Sequence, residues 1–320
     1  MSDSGINYLE IIKKAAFITW RNKYLWWFGL FILLASTCGN FFQAWPKEKN
    51  IQGQEVLDFT ANHKELIIFL LAAFLLLWIV FTILGIIAKG GLIKSLKSAT
   101  ENKKLGFKSG FQAGKKYFWK VFLIGAFSVV FILATLIVFM IPIGFLFYNK
   151  AYLLGGVLSF LALVIFIPVL FLVSFIRIYA YFYAILADLP IGESLENAYA
   201  LLRKNIMSSL VISLVFLIVG TLVMIAAVLF LIPVGIIFFL IGTLLFFLAK
   251  QVGILITALV GLIVIFFVLI FGGSIYQVFT HAVWLLFFQE IATPKIKEES
   301  EAEKVEEIIP AHATDPVAGN

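Results

Sequence analysis

VFLIGAFSVVFILATLIVFMIPIGFLFY (residues 121–148), NK (149–150) and AYLLGGVLSFLALVIFIPVLFLVSFI (151–176) together decide the fold. Neither long run contains a charged residue. Each exceeds the ~20 residues that cross ~30 Å of hydrocarbon at ~1.5 Å per residue. Only Asn149 and Lys150 separate them, so the second run turns back antiparallel to the first. Hydrocarbon offers no hydrogen-bond partners, so each run must satisfy its backbone internally, as a helix. The stretch is therefore a transmembrane helical hairpin.

Outward from it the same signal recurs. Residues 24–45 form an apolar run flanked by Trp26, Trp27 and Trp45, as an interfacial aromatic belt requires. Residues 66–88 form another, and residues 205–249 and 251–289 are free of charge. The whole chain of 320 residues is 62% hydrophobic and 13% charged, with mean hydropathy +1.07. Soluble domains are nearer half apolar and a quarter charged. The fold class is thus all-α, a polytopic transmembrane helix bundle. Residues 1–290 form the integral membrane domain and 291–320 an acidic cytoplasmic tail, expected to be disordered beyond a short helix.

The last two apolar runs are too long for one simple span each. A break at Pro233-Val234-Gly235 would divide the first of them and give seven spans. An internal repeat favours about six. Phe107, Phe111, Gly114 and Phe118 lie on one helical face, and Ile191, Leu195, Ala198 and Leu202 repeat the spacing. Tyr8, Ile12, Ala15 and Thr19 repeat it more weakly. Ile141-Pro142-Ile143-Gly144 is echoed by Ile232-Pro233-Val234-Gly235. The reading is three units, each an amphipathic interfacial helix followed by a hairpin, with an apolar extension near residues 234–248.

Lys and Arg set the orientation. With six spans, one side carries eighteen of them and the other five. The richer side, holding both termini, is expected in the cytoplasm, which makes this a multipass protein of the cell (plasma) membrane. The charged, helix-like start is longer than the n-region of a signal peptide.

Nine of the basic residues fall between Lys89 and Lys120, against one acid, Glu101. The segment lies between spans, so membrane lipid, the anionic inner leaflet in particular, is its expected partner and nucleic acid is not. Lys94, Lys97, Lys103, Lys104, Lys108, Lys115, Lys116 and Lys120 are the candidate lipid-binding residues. Gly106, Gly110 and Gly114 weaken a helix there. Arg177 is the one charge set in a long apolar stretch. It lies about 39 Å of helix beyond Ala151, which exceeds the hydrocarbon, so it is expected as an interfacial anchor among Tyr179, Tyr181 and Tyr183.

Chemistry is harder to find. His63, His281 and His312 have no second ligand at helical spacing, and Cys38 stands alone. Asp188, Glu193 and Glu196 read as a solvated helix start. Ser274, Gln277 and His281 share a face and read as helix packing. The sequence holds no GxSxG, Walker loop or HExxH. No cofactor, metal or catalytic residue is expected. Polar groups suited to transport are few: Asn40, the Pro168 kink and Gly272-Gly273.

Four segments carry a family resemblance. They are Trp20-Arg21-Asn22-Lys23-Tyr24-Leu25-Trp26-Trp27-Phe28-Gly29, Gly91-Leu92-Ile93 with residues 107–119, residues 187–205, and Ala282-Val283-Trp284-Leu285-Leu286-Phe287. Over residues 6–290 the chain resembles a group of uncharacterised prokaryotic multipass membrane proteins. That group is similar to the membrane domain attached to some glycerophosphodiester phosphodiesterases. The resemblance implies a membrane-embedded helical domain linked to lipids. No phosphodiesterase domain is present, so no enzyme activity carries over. The expected function is a non-enzymatic membrane protein that organises lipid or partner proteins. The alternative is a small-solute or lipid transporter, and an intramembrane enzyme ranks last.

Overall fold

A computed structural model describes residues 6–40, 63–103 and 105–308, with 38–40 and 293–308 given by backbone alone. The Trp45 end of the first apolar run, Lys104, His312 and the end of the tail lie outside the described residues, as do the side chains of Cys38 and Asn40. Among the described residues the chain is all-helical. The helices are α1 (Tyr8–Arg21), α2 (Leu25–Asn40), α3 (Lys64–Thr100), α4 (Phe107–Lys116), α5 (Phe118–Tyr148), α6 (Tyr152–Leu186), α7 (Ile191–Lys204) and α8 (Ile206–Ile308). Four stretches are long and apolar enough to cross a membrane: Lys64–Thr100, Phe118–Tyr148, Tyr152–Leu186 and Ile206–Ala292. Within α2, Leu25–Thr37 is apolar but shorter.

Turn chemistry shapes the hairpins. Lys150 takes a left-handed φ of 59° between α5 and α6. There Ala151 N–H bonds Leu146 C=O at 3.0 Å, closing the last turn of α5 in the manner of a Schellman cap. α8 is two arms, 206–249 and 251–308, that meet at Lys250 (φ 49°, ψ −130°). The arms fold back on each other, with Gly242 against Thr257 and Gly261 against Phe238. The helix continues through Pro233-Val234-Gly235, so the division that a seven-span reading needs there is not seen. A single proline removes only one backbone hydrogen bond and need not end a helix in an apolar medium. The first arm is about 66 Å long, the longest unbroken apolar element of the described chain.

Burial divides the molecule into a base and arms. The buried core gathers Ile87 to Leu96 of α3, Phe175 to Ile185 of α6 and Val278 to Ala292 of α8. The three short helices cover it. α1 buries Ile11, Ala15 and Thr19, and α7 buries Ser194, Ala198, Leu201 and Leu202. Aromatic rings fill the centre: Phe288 lies 5.1 Å from Phe182 and 6.2 Å from Tyr179, and Trp284 stacks on Phe216 at 5.2 Å. Beyond the base, the long helices expose apolar side chains on nearly every face. Their hydroxyls bond their own helix, as Thr135 does to Phe131 C=O (2.8 Å) and Thr221 to Leu217 C=O (2.8 Å). That is how isolated Thr is satisfied in an apolar medium.

The amphipathic stripe of α4 meets protein rather than the leaflet expected for it. The Phe107 ring lies 4.9 Å from that of Phe28. Gly110 and Gly114 are buried against α3, where a Cβ on Gly114 would meet Ile87 C=O and the Gly91 nitrogen, and one on Gly91 would meet Gly110 C=O at 2.6 Å. The glycines that weaken this helix in isolation thus allow two backbones to touch.

Candidate functional site

The basic linker lies along one side of the base. Lys108 and Lys115 point outward from α4 and are exposed, Lys115 with its ammonium 5.4 Å from the Phe111 ring. Lys94 is half-buried on α3. Beyond the linker, Trp119 is 66% exposed and stacks edge-on against Phe122 at 5.9 Å. This pair, rather than the Phe107–Phe118 stripe, is the apolar surface that α4 and the start of α5 leave open.

Four of the candidate lysines already face carboxylates. Lys97 and Lys103 each lie 3.3 Å from Glu101. Lys116 and Lys120 converge on Asp188, at 3.4 and 2.6 Å, and Lys120 also bonds Asp188 C=O at 2.8 Å. Asp188 has a left-handed φ of 56° where α6 ends and α7 has yet to begin. It is therefore a tie between α6 and the α4–α5 junction, a role that its place among the acids of residues 188–196 did not reveal. The hydrogen bond from Lys120, reinforced by the charges of Lys120 and Lys116, holds its carboxyl below the ordinary value. Glu193 sits exposed in the first turn of α7, whose last turn carries Arg203 and Lys204. That charge order suits the helix dipole.

A second basic group lies inside the base. The Lys89 ammonium sits 5.2 Å from the centre of the Tyr181 ring, and the charge of Arg177 acts on it. Arg177 is half-buried, and among the described residues no carboxylate pairs with either cation. His281, on α8, lies within reach of the Lys89 charge. Its Nδ1 is 2.9 Å from Gln277 C=O, and a carbonyl only accepts, so Nδ1 carries the proton. Ser274 donates to Trp26 C=O, so the polar face of residues 274–281 does lie between helices. In sequence Arg177 stands alone and Lys89 belongs to the linker; only the packing of α3 on α6 brings the two together.

Among the described residues no three His, Cys, Asp or Glu side chains gather as metal ligands would. Chemically, the base offers cations, aromatic faces and hydroxyls, of which the cations suit anions. No protein-family model matches the chain, and no curated protein or solved structure matches it either.

Proposed function

We propose that this chain is a non-enzymatic multipass protein of the cell membrane that organises anionic lipid of the inner leaflet, or proteins held there. In this reading it crosses the membrane six times, through α2, α3, α5, α6 and the two arms of α8, with both termini in the cytoplasm. The observation that carries the reading is the exposed basic side of α4, with Lys108 and Lys115, next to arms whose apolar side chains are open all round. Each Lys near an anionic surface contributes on the order of 1 kcal/mol. The excess of Lys and Arg on the side of the base supports the orientation.

The order of elements supports three units. A short, more polar helix precedes two apolar elements each time: α1 before α2 and α3, α4 before α5 and α6, α7 before the arms of α8, though α2 is itself only 16 residues. The buried positions repeat as well. In each unit the second of the two apolar elements carries the buried stretch at its C-terminal part: Ile87 to Leu96, Phe175 to Ile185 and Val278 to Ala292. The resemblance to the membrane domain of glycerophosphodiester phosphodiesterases is in keeping with a lipid-linked role.

The test is the lipid that the protein keeps. Full-length protein extracted in a mild detergent should carry anionic phospholipid above its share in the membrane. Lys108→Gln with Lys115→Gln should lower that enrichment. Bound lipid that matches the bulk composition would overturn the proposal. Solute flux through proteoliposomes would favour a transporter instead.

A further inference from the structure

A cavity of about 310 Å³ opens beside α1, where that helix meets the C-terminal end of α3. It is lined by Lys14, Phe17, Ile18, Arg21, Asn22, Ala99, Thr100, Asn102, Lys103 and Leu286. Three of these side chains are cationic and none is acidic. Phe17, Ile18 and Leu286 supply the apolar part of the wall. The lining is therefore amphiphilic, and the volume is at the small end of ligand pockets.

We propose that this cavity is a specific binding site for the phosphate-bearing headgroup of an anionic phospholipid. The phosphate lies among Arg21, Lys14 and Lys103, and the start of the acyl chains lies along Phe17. The proposal rests on the inner-leaflet placement of the base, and it adds one discrete site on α1 and α3 to the diffuse basic side of α4. Arg21 is the central residue. Its guanidinium is planar and suits two phosphate oxygens at once. Its present contact is the Phe17 ring, 5.6 Å away, and none of the ion pairs among the described residues includes it. Lys14 and Lys103 have acidic partners that lie outside the lining, Glu10 at 2.7 Å and Glu101 at 3.3 Å, and the charge of Glu290 also reaches Lys14. Both pairs are exposed, and exposed pairs are weak, so a phosphate can share these lysines.

The walls are held in place before a ligand arrives. Asn102 has a φ of 56°, and the bond from Lys103 N–H to Ser98 C=O (2.9 Å) fixes the turn that presents Lys103. Asn22 caps α1 through its amide, which donates to Ile18 C=O at 2.9 Å, and the Trp26 indole donates to Thr19 C=O at 3.0 Å. Both helices direct C-terminal ends toward the cavity, which by itself disfavours an anion. Several of their last carbonyls, those of Ile18, Thr19, Lys97, Ser98 and Ala99, are occupied by these bonds and by backbone caps. Arg21, which none of the ion pairs among the described residues includes, then supplies the attraction, and the two paired lysines add to it only as far as they turn from their carboxylates. The surface at the mouth favours a lipid over a free phosphate ester. Phe17 is 62% exposed and Trp20, one turn on, is 66% exposed, an apolar outer face beside a basic cavity.

Native mass spectrometry of delipidated full-length protein, titrated with palmitoyl-oleoyl phosphatidylglycerol, tests the site. The wild type should take up one lipid well before the rest. Arg21→Gln with Lys103→Gln should bind that first lipid about tenfold or more weakly, and Arg21→Lys should recover part of it. Lys108→Gln with Lys115→Gln should keep the first lipid and lose only the later ones. Retention of the first lipid by the Arg21/Lys103 variant would overturn the site and leave the inner-leaflet reading standing. Later binding that is indifferent to Lys108 and Lys115 would count against that reading instead. Free glycerophosphate in millimolar excess should not displace the lipid. Displacement would identify a soluble phosphate ester as the ligand and overturn the lipid assignment. If Arg21→Gln does not fold, Lys103→Gln alone carries the test, since that side chain sits on an exposed turn.

Discussion

The base and the arms are built from the same helices yet obey different rules. In α3, residues 64–80 leave apolar side chains open on all sides, whereas Ile87 to Leu96 of the same helix are buried against α2, α4 and α6. In α6, Leu153, Phe160 and Phe171 are exposed, whereas Tyr179, Ala180 and Ala184 are fully covered. An arm is stabilised by its solvent: lipid tails are as apolar as Leu, and no partner helix is needed to remove it from water. The base has to pack. It buries Tyr179, Phe182 and Phe287 almost completely, and where helices touch most closely it uses glycine. Stability should therefore be sensitive to small changes in the base and tolerant of them in the arms.

The largest expected difference is between glycines. Gly114→Ala would place a methyl against the backbone of α3 and should cost on the order of 3 kcal/mol, with a marked loss of folded yield. Gly144→Ala, in the arm α5, meets nothing within 4 Å and should stay within about 1 kcal/mol of wild type. Thermal unfolding in detergent, followed by tryptophan fluorescence, measures both. Equal effects would break the distinction.

Hydroxyls should show the same contrast on a smaller scale. Tyr179 reaches across helices to Ser209, with 2.8 Å between oxygens. The Ser209 hydroxyl already donates to Asn205 C=O, so Tyr179 is the donor to it. Tyr179→Phe should cost about 1 kcal/mol. Thr135→Val in α5 removes only a bond to its own helix and should cost less than about 0.5 kcal/mol.

The arms were legible in the sequence, and the base was not. Hydropathy is a property of consecutive residues, so the hairpin at 121–176 is visible without any knowledge of its neighbours. The stripe Tyr8, Ile12, Ala15 and Thr19 was visible for a similar reason, since helical periodicity is local. What a stripe packs against is not local. Phe107 gave no sign that Phe28 lay opposite it, nor Gly110 and Gly114 that the Gly90-Gly91 pair of α3 faced them. Gly110 and Gly114 read as weakness because their value depends on a backbone elsewhere in the chain. Asp188 read as a helix start because Lys116 and Lys120 are far from it in sequence.

Asp188 supplies a weaker test of the base. Its pairs with Lys116 and Lys120 are exposed, so Asp188→Asn should lower thermal stability less than either core change, and the loss should shrink in high salt. A carboxyl whose value is lowered on folding stabilises the fold above its ordinary value, 3.8. That stabilisation disappears as pH falls through the lowered value. The variant and the wild type should therefore converge in acid and differ at neutral pH. A gap that widens in acid would contradict the tie.

Arg177→Lys should have the smallest effect. The role proposed for it, an anchor at the headgroups, needs only charge and reach, and Lys has both. Folded yield should be unchanged. A collapse would show instead that the guanidinium holds a bidentate partner inside the base.

The most direct test of the account is where the two regions lie relative to the bilayer. In a Cys38→Ser background, Lys150→Cys and Lys250→Cys mark the tips of two hairpins, and Lys108→Cys marks the base. A membrane-impermeant maleimide added to intact cells should label the first two, and should reach the third only after the cells are opened. Labelling of Lys108→Cys in sealed cells, or protection of both tips, would contradict a base at the cytoplasmic surface with arms that cross the membrane.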